Sequence, residues 1–263
     1  MTQILQPRLY LAILAGGQST RARRGDSSAP KQFREVAGEA LFLHGLRELA
    51  HAPGIARAVV VVPDAWRPIA EQSLEAAALP LPVTLAPAGR HRTESAWRAL
   101  QALAGLPAGQ TPAPSDLVAV HDAARPFATR HLLGRLARAA ARSGAAVPGV
   151  PVTDTIVQLD AEAVAADPAG FDEDAGLEVP VGAYLERRLL VAVQTPQVCR
   201  WRELYAAHAW AAAERLSFTD DGGLVAARGV VPVVVMGERA NWKITTEDDW
   251  QRAVAQLRRE AVR

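Results

Sequence analysis

The chain has 263 residues, 22% of them charged, and a formal net charge of +1. This length can bury the core of one α/β domain with an appendage, and the balanced charge excludes the overall basic field that nucleic-acid binding usually requires. The single cysteine, Cys199, excludes an internal disulfide and a cysteine-rich metal site. We therefore expect a cytoplasmic protein whose partners are small anions, with no nucleic acid and, since no apolar run approaches about eighteen residues, no membrane.

The first element is an apolar run, Leu9 to Leu14, which predicts a buried strand. It ends at Gly16-Gly17, and a basic segment follows. The cations of that segment are Arg21, Arg23, Arg24 and Lys31. Because glycines allow backbone N–H groups to approach an anion closely, the segment predicts a loop for a nucleotide triphosphate, with an ordinary tight turn as the alternative. It is neither a Walker loop nor a dinucleotide fingerprint.

Strand-like runs then alternate with helical runs, which is the pattern of βα units in a mostly parallel sheet. Further strands are predicted at residues 58–62, 83–85, 117–120, 145–150 and 230–235. Helices are predicted at residues 40–51, 64–78, 93–103, 129–142, 201–213 and 220–228, and from Thr246 to the C-terminus. We expect Thr93 to cap its helix, and Thr246 with Asp249 to form an acidic variant of the capping box.

Ligands of open parallel sheets lie outside the carboxyl ends of the strands. This rule predicts one shared rim for Gly16, Gly17, Gly89, Asp122 and Arg125. A carboxylate such as Asp122 can hold a divalent metal or orient a hydroxyl, and Arg125 can clamp a phosphate. A salt bridge between Asp122 and Arg125 that only shapes the turn is an equally weighted alternative. We interpret the neighbouring His121 as structural.

The pattern changes at Pro151. An alternating, β-like stretch is followed by an acidic, irregular one that cannot bury itself. Residues 151–188 therefore predict an arm that projects and packs on a second copy of the chain. A disordered surface insertion is the alternative for residues 160–178.

Several other residues give weak signals when each is taken alone. Arg92 and Ser95 lie at a helix start, where free N–H groups attract anions; other polar residues of this kind are Arg187, Thr195, Thr219 and Lys243. The order and spacing of the motifs are more specific. Over nearly the whole chain, AGG…PKQ, GRHRTES, HDAARP, TDTI, QTPQ, FTDD and NWKITTEDD resemble the 2-C-methyl-D-erythritol 4-phosphate cytidylyltransferase family.

The resemblance implies a Rossmann-like nucleotidyltransferase fold, with a mostly parallel central sheet, helices on both faces and a protruding β-arm. It places the catalytic domain at residues 1–150 and 189–263 and the dimerisation arm at 151–188. It also implies a Mg²⁺-dependent transfer of CMP from CTP to 2-C-methyl-D-erythritol 4-phosphate. The products would be 4-diphosphocytidyl-2-C-methyl-D-erythritol and pyrophosphate, in the non-mevalonate isoprenoid pathway.

The resemblance also implies roles for particular residues. The catalytic residues would be Arg21, Lys31 and Lys243. The CTP contacts would be Ala15, Gly16, Gly17, Gly89, Arg92, Ser95 and Asp122, with Asp122 also the metal ligand. The substrate contacts would be Arg125, Thr155, Arg187, Thr195 and Thr219, with Arg187 acting across the dimer.

Two departures from the family pattern affect these expectations. The glycine loop carries extra residues, so the choice between Arg21 and Arg23 stays open, with Arg21 favoured. Gly222-Gly223 follows TDD where Ala-Ser is commoner, which predicts a looser helix start. The alternatives to the family's reaction are a molybdenum-cofactor guanylyl- or cytidylyltransferase, on the strength of LAGGQSTR, and a catalytically silent nucleotide-binding dimer. A dehydrogenase is disfavoured because the dinucleotide fingerprint is absent.

Overall fold

The computed structural model describes residues 7–17, 29–166 and 179–261. The predicted catalytic arginine, whether Arg21 or Arg23, lies outside the described residues, as do residues 167–178 of the arm. Among the helices of the described ranges, none combines the length and the apolar character that a membrane crossing requires.

A central sheet with helices on both faces forms the body of the molecule. The strands are β1 (Leu9–Leu14), β2 (Glu35–Val36), β3 (Glu39–Ala40), β4 (Ile55–Val62), β5 (Val83–Pro87), β6 (Leu117–Asp122), β7 (Ala145–Pro151), β8 (Val157–Leu159), β9 (Val181–Tyr184), β10 (Val191–Val193), β11 (Gln197–Arg200) and β12 (Val233–Met236). The helices are α1 (Leu41–Ala50), α2 (Arg67–Ala77), α3 (Arg92–Ala104), α4 (Arg130–Ser143), α5 (Ala161–Ala166), α6 (Trp201–Ala213), α7 (Asp221–Ala226) and α8 (Glu247–Ala261).

The sheet has the order β10-β7-β11-β6-β1-β4-β5, with β12 also paired to β7. Strands β6, β1, β4 and β5 are parallel neighbours, and β12 is parallel to β7. Strand β11 is antiparallel to both β6 and β7. The predicted α/β class with a mostly parallel sheet is confirmed, whereas β11 was not predicted at all.

The alternation of side chains along β1 explains why both faces of the sheet are covered. Leu9, Leu11 and Ile13 point into one buried cluster, which includes residues of α1, α2 and α4. Tyr10 and Leu14 belong to the opposite cluster, which includes residues of α3, α6 and α7. Because β1 is buried on both faces, its sequence is a continuous apolar run.

The helix starts agree with the sequence in one case and differ in another. At α3 the capping residue is His91, whose side chain accepts a hydrogen bond from the Glu94 N–H, so the prediction of Thr93 is wrong. The Thr93 hydroxyl instead donates to the carbonyl of Phe218. At α8 the predicted box is confirmed, since Thr246 Oγ1 accepts from the Asp249 N–H and Asp249 Oδ2 accepts from the Thr246 N–H.

The segment that follows β7 leaves the central sheet. Strands β8 and β9 pair antiparallel in a two-stranded sheet of their own. A short 3₁₀ turn, Arg187–Leu189, then precedes β10, which pairs with β7. Residues 181–189 are exposed throughout.

Candidate nucleotide site

A cavity of about 300 Å³ opens where β1, β5 and β6 end. It brings together eight of the predicted residues, from five separate segments of the chain. They are Gly16, Gly17, Lys31, Gly89, Arg92, Ser95, Asp122 and Lys243. Because β1 and β6 are parallel and Leu14 is in register with Asp122, the glycine turn and the acidic turn leave the sheet side by side.

Glycines form the cavity wall at two places where a larger residue would not fit. A Cβ placed on Gly16 would lie 2.8 Å from the Ala88 Cβ, and one on Gly89 would lie 2.6 Å from the Glu94 Cβ. The Gly89 N–H donates to Ser95 Oγ at 3.0 Å, which fixes this loop on the first turn of α3. The cavity wall is therefore backbone at both places, as close contact with a phosphate or sugar requires.

Asp122 lies between two cations. Its Oδ1 accepts from Arg92 Nε at 3.1 Å, and its Oδ2 accepts from Lys243 Nζ at 2.8 Å. Burial would raise the pKa of Asp122, but the charges of Arg92 and Lys243 outweigh it and hold that pKa well below its ordinary value. The alternative of a salt bridge between Asp122 and Arg125 is therefore wrong.

Lysine occurs only twice in the chain, although lysine and arginine together number 29. Both lysines, Lys31 and Lys243, line this cavity. Lys31 is buried, and its ammonium group donates to the carbonyl of Ile244, the residue after Lys243. An ammonium group is a compact charge with three rotatable donors, whereas the guanidinium group of arginine is a planar fork. The cavity is therefore lined by both of the ammonium side chains that the chain contains.

Arg92 reaches behind the cavity as well as into it. Its Nη1 lies 2.8 Å from Asp221 Oδ2, and Asp221 is almost fully buried. Burial would lower the pKa of Arg92, but Asp221 and Asp122 raise it above its ordinary value. Asp221 was not predicted as a site residue, although it is the second acid of the FTDD motif. Asp221 does not line the cavity, but four residues that do line it and were not predicted also lie inside quoted motifs: Gln32, Arg90, His91 and Thr245.

His121 has a structural role, as predicted from the sequence. Its Nδ1 lies 3.1 Å from Thr195 Oγ1, and Thr195 Oγ1 accepts from the Asp122 N–H at 3.0 Å. His121 Nε2 lies 2.9 Å from the carbonyl oxygen of Arg125, to which it donates. Burial lowers the pKa of His121 to about 4. Thr195, predicted to contact the substrate, is thus a buried part of the network that holds Asp122.

The remaining predicted residues that the structure describes do not line the cavity. Ala15 is buried in the core beside it, and Arg125 Nη1 donates to the carbonyl of Asn241. Thr155, Arg187 and Thr219 are exposed. Arg187 Nη1 donates to the carbonyl of Thr153 at 2.6 Å, at the base of the arm.

Solved structures share this fold. The 2-C-methyl-D-erythritol 4-phosphate cytidylyltransferase of Thermus thermophilus matches with a TM-score of 0.67 and 29% identity, over 97% of this chain and 100% of that one. The 4-diphosphocytidyl-2C-methyl-D-erythritol synthase of Anaerococcus prevotii has the same fold, with a TM-score of 0.75 at 23% identity over 96% of each chain. The fold is that of the nucleotidyltransferases, the class to which the Thermus thermophilus protein belongs by its name.

The family can be stated more closely. The family model of 2-C-methyl-D-erythritol 4-phosphate cytidylyltransferase matches residues 9–259, and the chain belongs to that family. It is 37% identical over 251 residues to the bifunctional enzyme IspD/IspF of Anaeromyxobacter dehalogenans, covering 95% of this chain and 57% of that protein. A bifunctional enzyme IspD/IspF of a Bradyrhizobium species is 32% identical over 257 residues, covering 96% and 57%. The chain thus spans little more than half the length of these relatives.

Proposed function

We propose that this chain transfers CMP from CTP to 2-C-methyl-D-erythritol 4-phosphate and releases pyrophosphate. The observation that carries the proposal is the position of the only two lysines of the chain. Both lie in one cavity with the glycine turn at Gly16 and with Asp122, in a chain whose family performs this reaction. A cavity of this composition suits a triphosphate with an attached ribose and base.

In the proposed reaction a phosphate oxygen of methylerythritol phosphate attacks the α-phosphorus of CTP in line. The new P–O bond forms as the bond to the β-phosphate breaks, and pyrophosphate leaves with that electron pair. No covalent enzyme intermediate is needed. Backbone N–H groups at Gly16 and Gly17 would bind the triphosphate, and Lys31 and Lys243 would stabilise the charge that grows on the phosphorus. An arginine of the basic loop, Arg21 in the favoured alignment, would assist them.

Mg²⁺ is part of this proposal, with Asp122 as its ligand. Within the described residues there is no group of three acidic, histidine or cysteine side chains that could hold a metal ion. One carboxylate is nevertheless enough where the nucleotide supplies the other oxygens, because Mg²⁺ is usually bound through one or two carboxylates and substrate phosphates. Asp122 fits this mode. Its Oδ2 accepts from Lys243 Nζ in this structure and would bind the cation in place of that ammonium group. The bound ion would neutralise phosphate charge and orient the triphosphate.

The acceptor phosphate would be bound by residues of two chains. Arg125 and Thr219 stay predicted contacts from the same chain, and Thr155 and Arg187 stay predicted contacts on the arm. Support for a homodimer comes from the exposed apolar surface around the arm, where Tyr184 is 76% exposed and Leu189 is 68% exposed. We place the dimer in the cytoplasm, as the sequence predicts.

The decisive measurement is release of pyrophosphate from CTP with methylerythritol phosphate as acceptor. GTP or CTP with molybdopterin tests the alternative transferases in the same assay. Lys31→Ala should lower the rate by on the order of 10²-fold or more, and Lys31→Arg tests whether charge alone suffices. If the wild type binds CTP but Lys31→Ala releases pyrophosphate at an unchanged rate, the proposed enzyme mechanism is wrong.

The scarcity of lysine allows a second, direct test. Lys31 and Lys243 are the only side chains of this sequence with an aliphatic amine that an acylating reagent can modify. Saturating CTP with Mg²⁺ should slow acylation of both lysines, as measured by mass spectrometry of the peptides. Equal acylation with and without CTP would show that the nucleotide binds elsewhere.

Action of Arg187 in trans is tested by mixing inactive variants. Arg187→Ala and Lys243→Ala subunits each lack a group of the same site. If the two groups come from different chains, a mixed dimer contains one complete site, and mixing should restore part of the activity. No recovery after verified subunit exchange counts against action in trans.

A further inference from the structure

We propose that His208, which lies outside the nucleotide cavity, is a positioning residue for CTP binding that acts through Asp221 on Arg92. The inference rests on the proposed function, in which Arg92 contacts the nucleotide. It concerns a histidine of α6 that lies in none of the motifs shared with the family.

The contacts form a chain from the core to the cavity. His208 Nε2 lies 2.9 Å from Asp221 Oδ1, and both side chains are only 1% exposed. The other oxygen of Asp221, Oδ2, lies 2.8 Å from Arg92 Nη1 and forms an ion pair with it, without the geometry of a hydrogen bond. Arg92 Nε in turn donates to Asp122 Oδ1 at 3.1 Å. Arg92 and Asp122 line the cavity, whereas Asp221 and His208 lie behind them.

The position of Arg92 is set by two carboxylates that attract it from different sides. Asp221 belongs to the first turn of α7, and its backbone N–H donates to Gln197 Oε1 at 2.9 Å. This bond fixes the backbone of Asp221, whereas the direction of its carboxylate depends on the groups that contact the two carboxylate oxygens. His208 occupies one oxygen of that carboxylate, so the other oxygen faces Arg92.

Removing the N–H donor at residue 208 would leave a buried carboxylate oxygen without a partner. Such a loss is costly, because desolvation of a charged group is no longer compensated. The guanidinium group of Arg92 can respond, because its Nη2 is buried and has no hydrogen-bond partner in the part of the chain that the structure describes. A shift of Arg92 toward Asp221 would weaken its bond to Asp122 and withdraw it from the nucleotide.

The chemistry requires one N–H donor at this position rather than an imidazole as such. Nδ1 of His208 is buried and has no hydrogen-bond partner within the described residues. Glutamine can place an amide N–H at a similar distance along the side chain, and methionine has a similar length with no donor. His208→Gln and His208→Met therefore form a matched pair.

The test measures KM for CTP, kcat, and the CTP dissociation constant by calorimetry. His208→Met should raise KM and the dissociation constant for CTP about tenfold or more, the size expected for a hydrogen bond to a charged group, with a smaller effect on kcat. His208→Gln should remain within about threefold of the wild type. Equal values for both variants, whether both normal or both impaired, would overturn the proposal, because the donor would then not matter.

A double-mutant cycle keeps the test informative if His208→Met destabilises the fold. In an Arg92→Met background, a change of His208 to Gln or Met should have no further effect on CTP binding, and additive effects would refute coupling through Arg92. His208→Leu offers a second variant without a donor. The proposed function is judged separately, by whether the wild type forms product at all, while the calorimetric comparison remains valid in either case.

Discussion

At the scale of single residues, the turn that carries Asp122 depends on a histidine that accepts one hydrogen bond and donates another. His121 Nε2 donates to the Arg125 carbonyl, so Nδ1 is left to accept from the Thr195 hydroxyl. That hydroxyl can then accept from the Asp122 N–H. A second proton on His121 would remove the acceptor and break this series, which is why its buried ring is suited to the neutral form.

This network predicts how stability depends on pH. The pKa of His121 is about 4 in the folded protein and about 6.5 when unfolded, so only the unfolded chain gains this proton between those values. The free energy of unfolding should therefore fall as the pH drops from 6.5 to 4, by about 3 kcal/mol in total. The pKa values of Asp122 and Asp221 are lowered as well, but these two groups change the free energy of unfolding at pH values below this range.

Urea denaturation at several pH values checks this prediction. Between pH 6 and 4.5 the slope for wild type should exceed the slope for His121→Gln by up to about 1.4 kcal/mol per pH unit, the effect of one proton. His131→Gln, on the exposed surface of α4, controls for the substitution itself. Parallel curves for wild type and His121→Gln would contradict the assignment.

Sequence patterns predicted which residues gather at the site better than they predicted how those residues pair. Strand ends and glycines placed Gly16, Gly89 and Asp122 at one rim because parallel strands leave a sheet at the same edge. The partners of Asp122 are 30 and 121 residues away, at Arg92 and Lys243. Such pairings depend on how helices and loops cross the rim, and no local periodicity records them.

At the scale of elements, the start of α8 fixes the segment that carries Lys243. Asp249 Oδ2 accepts from the N–H groups of Thr245 and Thr246, and Thr246 Oγ1 accepts from the Asp249 N–H. Trp250 packs in a buried cluster with Ile244, so the cap and the cluster hold the same chain segment. The start of α8 thus supports one wall of the nucleotide cavity.

Loss of this cap should measurably destabilise the protein. Asp249→Ala should lower the free energy of unfolding by about 1–2 kcal/mol, because backbone donors at the helix start lose their acceptor. Asp248→Ala removes the same charge from the same exposed turn, and should cost less than about 0.5 kcal/mol. Chemical denaturation of the two variants at pH 7 compares them, and equal losses would mean that helix-dipole charge, not the cap, matters.

Elements were predictable where their burial pattern is strong and missed where it is weak. Strand β1 was predicted with its observed bounds because it is apolar on both faces. Strand β11 has four residues directly after Pro196 and was missed, since so short a run gives no periodicity. The cap of α3 was misassigned because a histidine side chain can also accept from the third helical N–H, whereas Thr93 bonds elsewhere.

At the scale of the whole molecule, most of the large exposed apolar side chains of the described residues lie in two stretches of the chain, residues 181–193 and 231–236. They lie on β9, β10, β12 and the segments beside them, and both β10 and β12 pair with β7. The most exposed of them are Val231, Tyr184, Leu189, Met236 and Val234. Large apolar side chains exposed in this number are typical of a protein interface. Together with the predicted role of Arg187 in trans, it favours a second copy of the chain as the partner.

The dimer is testable through one substitution on this surface. Leu189→Glu places a charge on a side chain that is 68% exposed in the single chain, so it should spare the fold but oppose burial against a second subunit. Analytical ultracentrifugation at micromolar concentration should show a dimer for wild type and mainly monomer for Leu189→Glu. Ile69→Glu, at a 41% exposed position on α2, should remain a dimer. A wild type that sediments as a monomer would refute the homodimer and leave the acceptor site to be built from one chain.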